Sequence, residues 1–167
     1  MTRQTRKQIT LFIEPEIART IERVRQKYNP VQYALIDSHV TLCREDEIVQ
    51  FEQVLTNIRK QRFKSIFIDF GPVVRFSEGK GVMIPESGEN ESFHALRQAV
   101  LAGIDACTRL LAPHITLMHP RNATCTDEIF ADMESEIFPK RILFRKISVI
   151  EQYGTDPWQI LYESDTV

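Results

Sequence analysis

The chain carries one order of predicted elements twice, and this internal repeat constrains its fold more than any other feature. Apolar spacing in the first half predicts strand, helix, strand, helix and strand at residues 9–14, 17–28, 33–43, 48–58 and 65–70. The second half predicts the same order at residues 81–84, 93–104, 114–118, 126–137 and 142–150, with Thr126 as a helix N-cap. A further strand is predicted at residues 158–162. We therefore expect one α+β domain, residues 1–167, built from two similar lobes.

Length, charge and cysteine content limit the class of protein. With 167 residues and 43% apolar content, the chain can bury a core without disulfides or a structural metal. A formal net charge of −2 and an isoelectric point near 6.1 give no basic field for tight binding to long nucleic acid. Cys43, Cys107 and Cys125 lack the close pairs of a disulfide framework or zinc knuckle. The apolar run at residues 9–13 is too short for a signal peptide or membrane span, so we expect a soluble, cytoplasmic protein with reduced thiols.

A four-residue motif occurs at the equivalent place in each half, on a segment predicted to be a strand. Residues 39–42 read HVTL and residues 114–117 read HITL. Because side chains in a strand alternate between faces, each His and Thr share one face while the two aliphatic residues point to the core. If the lobes pack about a pseudo-two-fold axis, two imidazoles and two hydroxyls meet at one cleft, which suits a tetrahedral phosphate. We expect His39 and His114 to face each other across this cleft, between two similar sheets.

Each motif taken alone has an ordinary structural explanation. A single histidine on a half-buried strand is usually a structural residue, and a threonine there reflects β-propensity. However, two of the four histidines are followed by x-Thr-Leu at matching repeat positions. The doubling favours a functional site over coincidence.

The paired motif resembles the signature of the two-histidine (2H) phosphoesterase superfamily, and specifically its 2′-5′ RNA ligase-like branch. The specific part of the resemblance lies in residues 39–42 and 113–117. It implies a bilobal, pseudo-two-fold α+β fold of antiparallel sheets, with outer helices around a central cleft. It also implies that His39 and His114 are catalytic and that Thr41 and Thr116 bind the substrate phosphate.

The expected chemistry is acid–base catalysis by two imidazoles. An imidazole titrates near pKa ~6.5, so near neutrality one histidine can accept a proton from water while the other donates to the departing ribose oxygen. Hydroxyls of the two threonines would hold the non-bridging oxygens. We expect a monomeric phosphodiesterase without metal or cofactor that acts on an RNA end or small cyclic nucleotide, as a 2′,3′-cyclic phosphate or 2′-5′ linkage. The sequence leaves open which histidine is the acid, and whether hydrolysis or ligation is the natural direction.

Charged residues near the two motifs are weaker candidates. Asp37 shares the face of His39 and could tune its ring or join a metal site, although a solvated carboxylate is the commoner role. His119 is a reserve candidate because Pro120 ends the second motif strand. Arg44 and Arg121 follow the two motifs and could contact phosphate or lie at a solvated rim.

Other residues are interpreted from their type and place alone. Phe12, Tyr153 and Trp158 could stack on a nucleobase, but core packing is the more usual role. The basic run at residues 59–64 could touch an RNA backbone or form a solvated turn. His94, within an amphipathic helix, is predicted to be structural.

Two rival functions follow from other classes of protein. A metal-dependent hydrolase would need a clustered ligand set, and no H-E-x-x-H motif or convincing third ligand is present in the sequence. A non-catalytic module that binds RNA ends or nucleotides would use the same cleft. The intact His and Thr of both motifs favour an enzyme.

Overall fold

The computed structural model describes residues 2–105 and 109–167, which contain nine β-strands and five α-helices. The strands are β1 Thr5–Phe12, β2 His39–Cys43, β3 Ile66–Asp69, β4 Val74–Phe76, β5 Gly81–Pro85, β6 His114–Met118, β7 Arg141–Phe144, β8 Lys146–Tyr153 and β9 Gln159–Asp165. The helices are α1 Arg19–Tyr28, α2 Pro30–Leu35, α3 Phe51–Lys60, α4 Glu91–Val100 and α5 Asp127–Glu134. A 3₁₀ turn, Glu45–Glu47, follows β2.

The described strands form two antiparallel sheets. The larger sheet has seven strands in the order β4-β5-β6-β2-β1-β8-β9, and the smaller pairs β3 with β7. These sheets and their helices confirm the predicted α+β class.

The doubled order of elements is visible in the strand pairing. Strand β2 of the first half pairs with β6 of the second, and β3 pairs with β7, so equivalent strands meet across the two halves. We expected His39 and His114 to face each other across a cleft between two similar sheets, and the assignment of the motif strands to two sheets was wrong. They are neighbours in one sheet, joined at Val40 and Ile115.

Burial alternates along both motif strands as their sequences predict. In β2 the side chains of Val40 and Leu42 are fully buried, and in β6 Ile115 and Leu117 are equally buried. The His and Thr of each motif are only half-buried on the other face. Complete burial of one such aliphatic side chain contributes ~1.5–3 kcal/mol, which fixes the register that leaves the polar face outward.

Two segments differ from their predicted structure. The first three residues of the segment at 33–43 are helical, because they belong to α2, where Pro30 occupies the first position and its fixed φ and missing N–H suit a helix. The segment at 142–150 is not one strand. Exposed Arg145 separates β7 from β8, and the two strands enter different sheets because apolar residues on each side of the break are buried in different ladders.

Several smaller predictions can be compared directly with the structure. Thr126 caps α5, and its hydroxyl accepts the backbone N–H of Ile129 at 3.2 Å. Cys43 and Cys125 are buried, free thiols, whereas Cys107 lies outside the described residues. Within the described ranges, no helix has the length and apolar character that crossing a membrane requires.

Candidate active site

A cleft of about 750 Å³ lies over the polar face of the two motif strands. His39, Thr41, His114 and Thr116 all line it, so the structure brings together the four residues that the motifs singled out. Volumes of ~300–1,000 Å³ are typical of pockets that enclose small ligands.

The pairing of Val40 with Ile115 sets the arrangement of these four side chains. In an antiparallel ladder the residues flanking a pair lie opposite one another in reverse order. His39 is therefore beside Thr116, and Thr41 is beside His114. Each motif histidine thus has a threonine of the other half as its cross-strand neighbour, and all four residues line the cleft.

Both imidazole rings are oriented by the same local contact. Nδ1 of His39 lies 2.8 Å from the carbonyl oxygen of Asp37, and Nδ1 of His114 lies 3.0 Å from that of Ala112. Because a carbonyl can only accept, each Nδ1 carries the proton, and each Nε2 remains for exchange with a ligand. A histidine held in this way is ready to act as a base when neutral and as an acid when protonated.

The surroundings of His39 favour its neutral form. Burial, with smaller effects from the charges of Arg25 and His114, lowers the pKa of His39 to about 4, although the hydrogen bond to the Asp37 carbonyl opposes the shift. Phe12 lies edge-on to the ring, with centroids 6.0 Å apart. Near neutral pH His39 is therefore a proton acceptor.

Two residues of α1 hold the segment that leads into His39. The buried guanidinium of Arg25 donates to the carbonyl of Ile36 at 2.6 Å and pairs with Glu22. Glu22 in turn accepts the backbone N–H of Ser38 at 3.4 Å. These contacts lie on both sides of Asp37, whose carbonyl orients the His39 ring.

A buried arginine has a similar place in the second half. Arg97 of α4 donates to the carbonyls of Leu42 at 3.0 Å and Arg109 at 3.1 Å, and it forms an ion pair with Glu47. Glu47 also accepts the backbone N–H of Arg44 at 2.9 Å. The pair thus ties the end of the first motif strand to the segment that leads into His114.

The hydroxyl of Thr41 is positioned by a residue that the sequence prediction missed. The side-chain amide of Gln8 donates to Thr41 Oγ1 at 2.9 Å and to Thr10 Oγ1 at 2.9 Å. Since the Thr41 oxygen accepts this bond, its own O–H is left to donate to a ligand. Gln8 lay outside the predicted strand at 9–14, but its alternation with Arg6 and Thr10 was the signal that could have revealed it.

The weaker candidates divide into two groups. His119, Arg44, Arg121 and Trp158 line the cleft, and burial together with the charges of Arg121 and Arg6 lowers the pKa of His119. Arg6, Gln32, Glu45 and Asp46, which sequence reasoning did not select, line it too. Gln32 was missed because it lay between the predicted helix at 17–28 and the predicted strand at 33–43, in no predicted element, whereas α2 contains it.

The second group lies away from the cleft lining. Asp37 contributes its backbone carbonyl, and its side chain does not line the cleft. Tyr153 is 52% exposed and lies against Arg3, and His94 packs edge-on against buried Phe93. The basic run at residues 59–64 spans the end of α3 and the following loop, outside the lining. Among the described residues, no group of three or more His, Cys, Asp or Glu side chains is placed to hold a metal ion.

The family of the chain follows from a comparison with known proteins. The model of the 2′-5′ RNA ligase superfamily matches residues 13–156, so the chain belongs to this superfamily. The 2H resemblance is therefore confirmed, and membership supports a phosphoesterase or RNA-ligase type of activity. A comparison with curated proteins finds no match.

Solved structures share the fold at low sequence identity. E. coli LigT complexed with 3′-AMP has a TM-score of 0.68 at 15% identity, covering 99% of this chain and 99% of that chain. E. coli LigT in its apo form has a TM-score of 0.69 at 14% identity, with 98% and 99% covered. A structure described as a phosphoesterase has a TM-score of 0.68 at 13% identity, with 98% and 99% covered.

Proposed function

We propose that the protein is a metal-independent phosphodiesterase that acts on a 2′,3′-cyclic phosphate or a 2′-5′ RNA-type linkage. The observation that carries this proposal is that two histidines and two threonines line one cleft, with both Nδ1 atoms held by carbonyls. The substrate is an RNA end or small cyclic nucleotide, and the protein acts as a monomer in the cytoplasm.

The proposed hydrolysis uses His39 as base and His114 as acid. Neutral His39 takes a proton from water through Nε2 as the water oxygen bonds to phosphorus. The bond from phosphorus to one ribose oxygen breaks, and protonated His114 donates its Nε2 proton to that oxygen. The products are a phosphomonoester and a free ribose hydroxyl. Exchange with solvent then removes the proton from His39 and returns one to His114.

Threonine hydroxyls stabilise the charge that develops on the phosphoryl oxygens. By the strand register Thr41 and Thr116 each lie beside the histidine of the other motif, and all four residues line the cleft in which the phosphate would bind. Donors fixed before the reaction need no reorganisation as charge moves, which is the advantage of an oxyanion hole. The guanidinium groups of Arg44 and Arg121 at the cleft add positive charge for an anionic substrate.

The proposal is tested by an activity screen with EDTA present throughout. The substrates are 2′,3′-cyclic nucleotides, oligoribonucleotides that end in a cyclic phosphate, ADP-ribose cyclic phosphate and 2′-5′-linked dinucleotides. We expect turnover of at least one class, with a phosphomonoester as product. Tight binding of these ligands without turnover would instead indicate the non-catalytic nucleotide-binding module.

A further inference from the structure

The two motif threonines, alike in sequence, have different neighbours in the sheet. Thr41 lies opposite Thr10 of β1 and accepts a hydrogen bond from Gln8 of the same strand. Thr116 lies opposite Met83 of β5, whose thioether cannot donate a hydrogen bond. Within the described part of the chain, the Thr116 hydroxyl makes no hydrogen bond. The symmetry of the two motifs is therefore broken by the strands that flank them.

The side-chain amide of Gln8 is held at two points. Its Nε2 atom donates to Thr10 Oγ1 at 2.9 Å and to Thr41 Oγ1 at 2.9 Å, so both N–H bonds of the amide are engaged. Thr10 is fully buried and shares a face of β1 with Gln8, two residues earlier in the strand. The buried hydroxyl of Thr10 thus anchors the amide, and the amide orients the hydroxyl at the cleft.

Burial explains only one of these two bonds. The buried hydroxyl of Thr10 needs a partner, because an unsatisfied polar group in the core is destabilising. Thr41 is half-buried and lines the cleft, where water can satisfy its hydroxyl. The core therefore does not require the bond from Gln8 to Thr41. The consequence of this bond lies in the cleft, where it determines which way the Thr41 O–H can point.

The direction of a hydroxyl decides what it can do for a phosphate. A hydroxyl can donate or accept, but only a donor stabilises negative charge on a phosphoryl oxygen. Because Gln8 donates to its oxygen, Thr41 keeps its O–H for a ligand before any ligand binds. The O–H of Thr116 is not committed in this way. A donor that is fixed in advance needs no reorganisation in the transition state, which favours Thr41.

We propose that Gln8 is a positioning residue that commits the Thr41 hydroxyl to donate to the substrate phosphate, so that the two motifs are not equivalent in the reaction. This inference rests on the proposed function and adds to it a residue outside both motifs. Gln8 acts through Thr41 and not on the reacting atoms. Since Thr41 is the cross-strand neighbour of His114, the fixed donor lies on the side of the proposed acid.

Gln8→Met gives Thr41 the kind of neighbour that Thr116 already has. Methionine keeps the unbranched length of glutamine, but it cannot donate a hydrogen bond. On the substrate found in the screen we expect kcat to fall about 2- to 10-fold, the effect of one ordinary hydrogen bond. KM should change little, because the Thr41 hydroxyl is still present. A folded Gln8→Met protein with wild-type kcat would overturn the proposal.

The same substitution in two further backgrounds separates positioning from a general effect on the sheet. In Thr41→Val the hydroxyl that Gln8 orients is absent, so adding Gln8→Met should lower kcat by less than about 2-fold. In Thr116→Val the full loss of about 2- to 10-fold should remain. Equal losses in the two backgrounds, with folding intact by circular dichroism, would mean that Gln8 only supports the sheet.

The cycle has a second form in case Gln8→Met does not fold. The buried hydroxyl of Thr10 would then be the cause, because it loses its partner. Every protein of the cycle is then made with Thr10→Val, which removes that hydroxyl and leaves the bond from Gln8 to Thr41 in place. The expected and the contradicting results are the same.

Gln32→Met is the matched control. Gln32 also carries a side-chain amide at the cleft, but this amide accepts a bond from Asn122 and contacts no motif residue. Any effect of Gln32→Met on kcat should be the same in the wild type and in Thr41→Val. If Gln32 depended on Thr41 as strongly as Gln8 does, the coupling would be a property of the whole cleft and the proposal would fail.

Orthovanadate provides a test that needs no turnover. It adopts the five-coordinate geometry of phosphoryl transfer, so its affinity depends on donors that act in the transition state. The dissociation constant is measured by calorimetry for the same set of variants. If no substrate is hydrolysed but Gln8 is coupled to Thr41 and not to Thr116 in this affinity, the positioning role stands and the proposed hydrolysis fails. Absence of that coupling, or of any vanadate binding, would overturn the positioning role.

Discussion

Val40 of β2 pairs directly with Ile115 of β6, and the two residues are equivalent positions of the repeated motif. Both side chains are completely buried, so the pair anchors the two halves of the chain to each other beneath the cleft. The same pairing puts each motif histidine beside the other motif's threonine. A site that is symmetric in its parts is thereby assembled across the junction of the halves.

Replacing a motif threonine by valine should weaken both binding and turnover. In Thr41→Val and Thr116→Val the β-branched shape is kept while the phosphate-facing hydroxyl is lost. A hydrogen bond to a charged group contributes ~1.5–3 kcal/mol, so kcat/KM should fall about 10- to 100-fold. Steady-state kinetics on the substrate found in the screen measures the effect. Thr10→Val, which also loses a bond to Gln8 but lies outside the cleft lining, is the control.

The pH dependence should reveal the low pKa of His39, which burial lowers to about 4. As a base His39 must be neutral, so the acid limb of kcat/KM due to this residue should lie near pH 4 rather than near ~6.5.

The lowered pKa of His39 also makes the free energy of unfolding depend on pH. The unfolded histidine binds a proton more readily than the folded one, so this contribution is complete above pH ~6.5 and is lost as the pH falls towards 4.

Imidazole NMR of the folded protein checks this pKa directly. The His39 ring should remain neutral, with the proton on Nδ1, at pH 5.5. The free energy of unfolding is measured in urea at pH 7 and at pH 5 for the wild type and for His39→Gln. Lowering the pH should reduce it less in the variant than in the wild type. A His39 ring that titrates near pH 6.5 would contradict the account of its environment.

The buried ion pair of Arg97 and Glu47 should be important for stability. In Arg97→Met the carboxylate of Glu47 remains buried without its main partner, which typically costs ~3–5 kcal/mol of the free energy of unfolding. The double variant Arg97→Met/Glu47→Leu should recover much of this loss, because no unpaired charge remains. Urea denaturation measures both.

Arg23→Ala is the control for that series, because the pair of Arg23 with Glu136 is largely exposed. Its stability should be close to that of the wild type. If Arg97→Met were as stable as Arg23→Ala, the connection between β2 and the segment before His114 would not depend on this pair.

Chelation should leave turnover nearly intact, because the proposed proton transfers use only imidazoles and the phosphate contacts use hydroxyls. Activity is compared before and after prolonged dialysis against EDTA. If activity is lost on dialysis and added Zn²⁺ or Mn²⁺ restores it, the metal-dependent hydrolase is favoured.

The sequence was sufficient to predict what depends on local pattern. The alternation of apolar and polar residues predicted the motif strands, and Thr126 predicted the start of a helix. Both signals lie within a few neighbouring residues. Contacts between distant residues leave no such pattern. The bond of Arg97 to the carbonyl of Leu42 spans 55 positions, and the direct pairing of β2 with β6 depends on packing of the whole molecule.

The same distinction explains the outcome for the site. The four motif residues were predictable because each half repeats their spacing, and the structure places all four at one cleft. Gln8 contacts Thr41 across 33 positions, which no short motif encodes. Arg25 is a helix residue whose buried contact with Ile36 is visible only in the fold.

The most direct test of the central claim is kcat/KM for His39→Ala and His114→Ala on a verified cyclic-phosphate substrate, with folding checked by circular dichroism. Removing either proton-transfer group should lower kcat/KM by ~10²–10⁴, while calorimetry shows a much smaller loss of affinity for the phosphate product. The double variant should be little worse than either single one, since the two groups act as a unit. Two folded single variants with wild-type turnover would contradict the proposed mechanism.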